Sequence, residues 1–366
     1  MNEIFFIDKN VISYFDLISF INGERSFTGL TESEYFVLDC LKNLTNKKIK
    51  DFDDLIQNLK TTNSKILLKT SGTTGKPKEI IHTIDSITKN ISIKKELSES
   101  VWGMTYAYGK MAFYQVLFQS LLNKSKLINL FGYNFDEIKM KIISNNITHI
   151  SATPTFYRML IGDDTEFSNV FQVTLGGEQS DENLLELLKK VFPNASIRNI
   201  YASSETASLF ASKGNVFRIP EKYKSKINFI ENVLHIHRDL IGNINELESD
   251  EEWYNTKDVV ELINENEFKI IGRQKVEINI SGYKVNPFKV ESVINSLSYV
   301  KTVKVYPKKN SVTGSILCCD IVLKSETTKT RIKEDLKDHL EKYEIPIIIN
   351  FVDFLQINES TKISRL

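Results

Sequence analysis

Lys65-Ile66-Leu67-Leu68-Lys69 runs directly into Thr70-Ser71-Gly72-Thr73-Thr74-Gly75-Lys76-Pro77-Lys78. The first five residues form a short apolar run between lysines, the pattern of a buried strand. The next nine form a turn rich in glycine and hydroxyl. Gly72 and Gly75 open backbone conformations closed to other residues, so main-chain N–H groups can approach an anion. Thr70, Ser71, Thr73 and Thr74 add hydroxyl donors. Lys76 and Lys78 add positive charge, and Pro77 stiffens the exit. This chemistry suits a polyphosphate. The glycines stand three apart and Pro77 follows Lys76, which is not the GxxxxGK[ST] spacing of a P-loop.

Outward from this loop, strands and helices alternate. Leu127–Leu130, Thr148–Ala152, Val170–Leu175 and Ser196–Tyr201 read as strands. Asp136–Ser144, Thr155–Ile161 and Asp181–Val191 read as helices, the last with Leu184, Leu185, Leu188 and Val191 on one side. That alternation predicts an α/β fold with a mainly parallel sheet flanked by helices. Ligands in such sheets bind beyond the carboxyl ends of the strands. Thr70–Lys78 and Ala202–Thr206 both follow strands, which allows them to share one edge. The front of the chain reads as helical, with capping-box spacing at Thr31 and Glu34 and a second helix over Asp51–Lys60. Beyond Phe217 come short β-like runs at Ile227–Ile230, Val233–His237, Val259–Ile263 and Glu267–Ile271. The remainder reads as a small α+β module. It has a helix from Pro287, strands at Lys301–Tyr306 and Ile316–Leu323, a helix over Thr330–Tyr343 and a closing strand at Ile347–Phe351. The expected division is a large N-terminal domain, 1–272, and a small C-terminal domain, 273–366.

Hydrophobic residues make up 41% of the 366 and charged residues 26%, enough for a sizeable core and against wholesale disorder. Basic and acidic residues balance at 47 each, so the whole molecule has no pull toward nucleic acid or an anionic membrane. Cys40, Cys318 and Cys319 make neither a disulfide framework nor a zinc motif. No stretch approaches the about 18 apolar residues of a membrane span. Glu3 and Asp8 argue against a signal peptide. A cytoplasmic protein with no nucleic-acid partner is expected.

The string Thr70–Lys78 resembles the phosphate-loop signature of the adenylate-forming superfamily, which includes acyl-CoA synthetases, the adenylation domains of nonribosomal peptide synthetases and beetle luciferase. Further matches follow in the family's order over about Leu67–Arg365. Gly176-Gly177-Glu178 resembles the segment that lies along adenine, although a plain turn accounts for it equally well. Tyr201-Ala202-Ser203-Ser204-Glu205 is similar to Tyr-Gly-x-Thr-Glu, with Ala202 for Gly and Ser204 for Thr. The resemblance implies that Tyr201 stacks on adenine, Ser204 touches the α-phosphate and Glu205 holds Mg²⁺. Tyr254-Asn255-Thr256-Lys257-Asp258 resembles Tyr-x-Thr-Gly-Asp, in which the aspartate accepts from the ribose hydroxyls. Lys257 stands in place of Gly, which puts the turn geometry in question.

Gly272-Arg273-Gln274-Lys275 resembles the family's hinge, with Arg273 on ribose or phosphate and Lys275 as the pivot of a mobile C-terminal domain. Gly282-Tyr283-Lys284 is similar to a loop lining the thiol channel, though an unrelated glycine turn explains it as well. Glu359–Arg365 resembles the terminal Gly-Lys-Ile-x-Arg motif, with Thr361 for Gly and Lys362 as the catalytic lysine. By the same resemblance the acid pocket involves Trp102–Phe113, with Tyr106, Tyr108 and Lys110 as candidates. The implied activity is ATP- and Mg²⁺-dependent conversion of a small carboxylic acid to acyl-AMP, with pyrophosphate released. The acyl group then passes to the thiol of coenzyme A or of a carrier protein's phosphopantetheine. Two other readings stay open. One is a non-catalytic nucleotide-binding or scaffolding relative, which the departures at Ala202, Lys257 and Thr361 would suit. The other is a true P-loop NTPase, which would release phosphate instead of pyrophosphate.

Overall fold

The computed structural model describes residues 4–71, 77–161, 165–244, 251–274, 278–280, 283–310 and 314–356. The chain opens with an antiparallel strand pair, β1 (Ile4–Ile7) and β2 (Val11–Ser13). Ser13 caps α1 (Tyr14–Ile21) through a capping box with Asp16. The anticipated box starts α2 (Glu32–Leu44): Thr31 Oγ1 accepts from the Glu34 N–H, and the Glu34 carboxylate accepts from the Thr31 N–H at 2.8 Å. Asp51 caps α3 (Phe52–Thr61).

β3 (Lys65–Ser71) and β4 (Pro77–Thr83) form an antiparallel hairpin, in register from Lys65↔Thr83 to Ser71↔Pro77. The expectation of a buried strand feeding the loop from the parallel sheet is therefore corrected. Ile66 and Leu68 are buried but Leu67 is 48% exposed. That is the alternation of an antiparallel strand with one solvated face.

After α4 (Ile84–Thr88) the alternating part of the chain begins. It runs β5 (Val101–Met104), α5 (Met111–Leu122), β6 (Lys126–Asn129), α6 (Phe135–Ser144), β7 (His149–Ala152), α7 (Pro154–Leu160), β8 (Gln172–Gly176), α8 (Glu182–Val191) and β9 (Ser196–Ser203). β10 (Ala207–Ser212) folds back antiparallel on β9. Together these make an eight-stranded sheet of order β10-β9-β8-β7-β5-β6-β1-β2, parallel from β9 to β1. Its central strand β5 is buried along its whole length, and Ile150, Val173 and Leu175, on one face of β7 and β8, are fully enclosed. From β5 the chain moves outward to β6, then returns to the other side of β5 as β7. The carboxyl ends of β5 and β7, where the strand order reverses, are where such sheets take ligands.

A second sheet combines β11 (Val216–Arg218), β12 (Ile227–Ile230) and β13 (Val233–His237) with two later strands. β14 (Asn243–Ile244) instead pairs with β4. β15 (Trp253–Asn264) and β16 (Glu267–Arg273) complete the second sheet in the order β11-β16-β15-β13-β12. The C-terminal part holds β17 (Ile278–Ile280), β18 (Tyr283–Val285), α9 (Pro287–Ser296), β19 (Val300–Asn310), β20 (Gly314–Leu323), α10 (Lys329–Leu336) and β21 (Ile348–Phe351). It has its own core of Val290, Ile294, Val303, Leu317, Ile321, Ile332 and Leu336. α10 ends earlier than the periodicity predicts. Beyond it Glu344 is buried, accepts from the Glu341 N–H at 3.1 Å and pairs with Lys289 at 2.7 Å, which holds the chain in turns. Leu340 still reaches the core from those turns. No described helix is long and apolar enough to cross a membrane.

Candidate nucleotide site

The loop residues Gly72–Lys76 lie outside the described residues, but both arms of the hairpin that carries them are described. Thr70 and Ser71 end β3, and Pro77 and Lys78 begin β4. Lys78 Nζ stands 3.6 Å from Glu205 Oε1 and 5.1 Å from the centre of the Tyr254 ring. The Tyr254 hydroxyl donates to the same Glu205 oxygen at 3.1 Å. The Lys78 and Glu205 side chains are only 13% and 14% exposed, so water and salt screen their attraction weakly. Burial and then the Glu205 charge push the Tyr254 phenol up, which keeps it a donor. The loop hairpin and the Ala202–Thr206 segment thus meet, although they come from different sheets.

Ser203-Ser204-Glu205-Thr206 bridges β9 and β10 as a tight turn. Ser203 Oγ accepts from the N–H groups of Glu205 and Thr206, both at 3.2 Å. Ala202 pairs with Ser208 across the turn. On the neighbouring strand Gly176 sits opposite Ile200, which brings the Gly176–Glu178 segment beside Tyr201. Gly177 has a φ of 81°, a conformation that favours glycine.

A second cluster forms where β9 faces β15 and β16. Asp258 Oδ2 accepts from the Tyr201 hydroxyl at 2.6 Å, and Arg273 Nε lies 3.5 Å from Oδ1. The Tyr201 ring packs against Phe210 and Phe217. Thr256 Oγ1 accepts from the Asp258 N–H at 3.0 Å and donates to the Leu234 carbonyl at 2.8 Å. Burial raises the Asp258 pKa above the ordinary carboxylate value, against the pull of Tyr201 and Arg273. Lys257 settles the doubt raised by its replacing glycine: its φ is 65°, so it takes up the left-handed conformation. Its N–H is held by Asn255 Oδ1 at 2.8 Å and its carbonyl by the Gln274 N–H at 2.6 Å. These bonds offset the about 1–2 kcal/mol that this conformation costs an L-residue.

Just beyond the carboxyl end of β5, Tyr106 is 5% exposed. Burial pushes its phenol up; the Ser151 hydrogen bond opposes this and the charge of Glu178 adds to it. Glu178 Oε2 accepts from the Thr155 N–H at 3.1 Å, at the start of α7. Tyr108 packs on Phe36 of α2 with ring centres 4.8 Å apart, and Lys110 stands at the N-cap of α5. In the C-terminal part Tyr283 stacks on Tyr343 at 4.4 Å, and Lys284 follows it in β18. Lys275, Gly282 and Lys362 lie outside the described residues.

Among the described residues no three His, Cys, Asp or Glu side chains cluster as metal ligands. Glu205 presents a poorly solvated carboxylate to the hairpin, beside Lys78 and the Tyr254 hydroxyl. Such a carboxylate fits Mg²⁺, which is commonly held by one or two carboxylates together with substrate phosphates and water.

Fold and site together define the architecture of the adenylate-forming enzymes. The chain belongs to the AMP-binding enzyme family, whose main part matches residues 32–229 and whose C-terminal domain matches 289–362. It is 27% identical over 350 residues to 4-hydroxybutyrate–CoA ligase 1 of Metallosphaera sedula, covering 81% of this chain and 60% of that one. It is 23% identical over 328 residues to 2-succinylbenzoate–CoA ligase of Staphylococcus aureus, covering 82% of this chain and 65% of that one. The chain thus spans less than two thirds of the length of these two ligases. The structure of o-succinylbenzoate CoA synthetase from Bacillus subtilis with its acyl-adenylate matches with a TM-score of 0.68 at 18% identity, over 99% of this chain and 94% of that one. At that identity the match speaks to the fold.

Proposed function

We propose that this chain activates a small carboxylic acid with ATP, forming acyl-AMP and pyrophosphate, and passes the acyl group to a thiol. The observation that carries this reading is the meeting of Lys78, Glu205 and Tyr254 at the mouth of the loop hairpin. It supports a reading in which Lys78 and Glu205, a carboxylate able to hold a metal, would stand by a nucleotide's phosphates, with the Tyr201–Asp258–Arg273 cluster at its ribose.

The substrate carboxylate is ionised at neutral pH, so its attack on the α-phosphorus needs no general base. The protein's task is to position the reactants and balance negative charge. Asp258, an acceptor-only carboxylate, suits the two ribose hydroxyls, with Arg273 beside it. Tyr201 and the Gly176–Glu178 segment would flank the adenine. The loop Thr70–Lys78 would hold the β- and γ-phosphates, and the Ser204 hydroxyl the α-phosphate. Mg²⁺ held at Glu205 would supply positive charge beside those phosphates. The unit 1–272 would carry these groups apart from Arg273, and the unit 273–366, which begins at Arg273, would bring Lys362 to the α-phosphate for the first step. Movement about Lys275 would then withdraw Lys362 and admit the thiol past Gly282, Tyr283 and Lys284. The thiol sulfur bonds to the acyl carbon, the acyl–phosphate bond breaks, and AMP leaves.

The acid would lie at the carboxyl ends of β5 and β7, near Tyr106, Tyr108 and Lys110. The two ligases named above point to short hydroxy acids and aryl keto acids as first candidates, and to coenzyme A as acceptor. The test is carboxylate-dependent ATP–pyrophosphate exchange with Mg²⁺ over hydroxy, aryl, fatty and amino acids. Exchange with one class is expected, followed by thioester formation with coenzyme A. No exchange with any class, while ATP binds, would favour the non-catalytic relative. Thioester formation only on a phosphopantetheinylated carrier would move the acceptor to that partner.

A further inference from the structure

His82 lies on β4, four residues beyond Lys78, and so on the same face of the strand. It is 1% exposed. Its Nε2 is 2.8 Å from the Ser204 carbonyl oxygen and its Nδ1 2.9 Å from Ser86 Oγ. A carbonyl can only accept, so Nε2 carries the proton. Burial lowers the ring's pKa, with the Ser204 bond opposing and Lys89 adding to the effect. β4 therefore grips the β9–β10 turn twice, through Lys78 on the Glu205 carboxylate and through His82 on the carbonyl just before it.

A third contact closes the arrangement. The Gly242 N–H donates to the Glu205 carbonyl at 2.7 Å. Gly242 itself lies against the imidazole face, where a Cβ would stand 2.5 Å from His82 Nε2. Only glycine lets its backbone approach the ring so closely. β14, which begins at the next residue, is paired to Ile80 and Ile81 of β4. The two peptide carbonyls that bracket the turn's key side chain are thus each tied to β4, one by a side chain and one through the strand it pairs with.

We propose that His82 is a positioning residue: with Gly242 it sets the Ser204–Glu205 turn so that the Glu205 carboxylate meets Lys78 of the same hairpin. This rests on the reading of Glu205 as the metal-binding carboxylate. His82 touches neither nucleotide nor acid; its effect runs through the turn. A hydrogen bond of this kind, once lost, leaves a buried carbonyl unpaired and frees the turn to shift. The consequence is a weaker hold on Mg²⁺ rather than a weaker hold on the acid.

The experiment measures the Mg²⁺ concentration that half-saturates ATP–pyrophosphate exchange, the exchange rate and the apparent KM of the acid. His82→Leu is expected to raise the Mg²⁺ requirement and lower the rate by about tenfold each, with the acid KM unchanged. Gly242→Ala, which displaces the ring without removing it, should move the same two quantities in the same direction. His82→Gln keeps an N–H donor near the Nε2 position and should stay within about threefold of wild type. Wild-type Mg²⁺ dependence in His82→Leu overturns the inference. So does equal impairment of the Leu and Gln variants, which would mean that ring shape and not the donor matters. If the wild type exchanges with no acid, the activity proposed above fails. The variants are then compared by calorimetry of ATP binding with and without Mg²⁺, and an unchanged metal dependence in His82→Leu again overturns the positioning role.

Discussion

Asp258 can accept from both hydroxyls of a vicinal diol with both oxygens free while it is ionised; protonation turns one oxygen into a donor. Burial raises its pKa, so acidification should begin to remove that acceptor at a higher pH than for an ordinary aspartate, near 4. The sign for stability is the opposite. A carboxyl whose folded pKa exceeds its unfolded value favours the fold when protonated. Its contribution is present below the unfolded value and is lost as pH rises through the folded one. Acid should therefore weaken nucleotide binding while this one group's share of folding stability improves. Calorimetric titration with AMP between about pH 4.5 and 8 should show affinity falling on the acid side. Asp258→Asn should be weaker by roughly tenfold or more at neutral pH and should lose that acid limb; a wild-type affinity in this variant would remove Asp258 from the site. The aspartate itself was legible from the motif around it. Its partners were less so: Tyr201 and Arg273 stand 57 and 15 residues away in sequence, and the Tyr254 hydroxyl reaches Glu205 across 49. Such contacts are set by which strands lie side by side. His82 had no sequence signal beyond being a histidine in an apolar strand.

At the scale of elements, the alternating strands and helices from β6 to β9 carried their own evidence, because each buries an apolar face with a fixed period. β1 and β2 did not. They are four and three residues long, too short for a period to show, and β1 finds its place beside β6, about 120 residues further on. The hairpin of β3 and β4 was half legible. Its run Ile66-Leu67-Leu68 has no polar residue at the exposed position, so alternation was hidden and a two-sided buried strand was the natural reading. What seats the front of the chain is a polar junction at the start of α2. Thr31 Oγ1 accepts from the Glu34 N–H and donates to Asp8 Oδ2 at 2.7 Å, and the same Asp8 carboxylate accepts from the Tyr133 hydroxyl at 2.6 Å. Thr31→Ala loses a helix cap, worth about 1 kcal/mol, and leaves Asp8 short of one donor. A total loss of about 1–2 kcal/mol is expected, seen as a lower midpoint in urea with AMP affinity unchanged. A drop in AMP affinity would instead mean that this junction communicates with the nucleotide site.

At the scale of the whole molecule, the proposed function asks one pocket to serve two reactions with different needs. Adenylation needs positive charge at the α-phosphate, whereas thiol attack needs an open approach to the acyl carbon. A fixed arrangement of the two units would favour one step at the expense of the other, and a swing of the smaller unit meets both. The C-terminal part has a hydrophobic core of its own, built from α9, α10, β19, β20 and β21, and the proposed swing would carry it as a body. Lys362 and Lys275 divide this argument into two separable parts. Lys362→Ala removes an aimed cation and should slow acyl-AMP formation by about 10²-fold or more, while reaction of supplied acyl-AMP with the thiol continues. Lys275→Pro restricts φ at the proposed pivot and should do the reverse, slowing thioester formation at least about tenfold more than adenylation. Both half-reactions are read in single turnover, one by pyrophosphate release and the other by loss of purified acyl-AMP. Opposite selectivity in the two variants is what a moving unit requires. If each variant slows both half-reactions equally, the two lysines act in one fixed site, and the case for a swing about Lys275 falls with them.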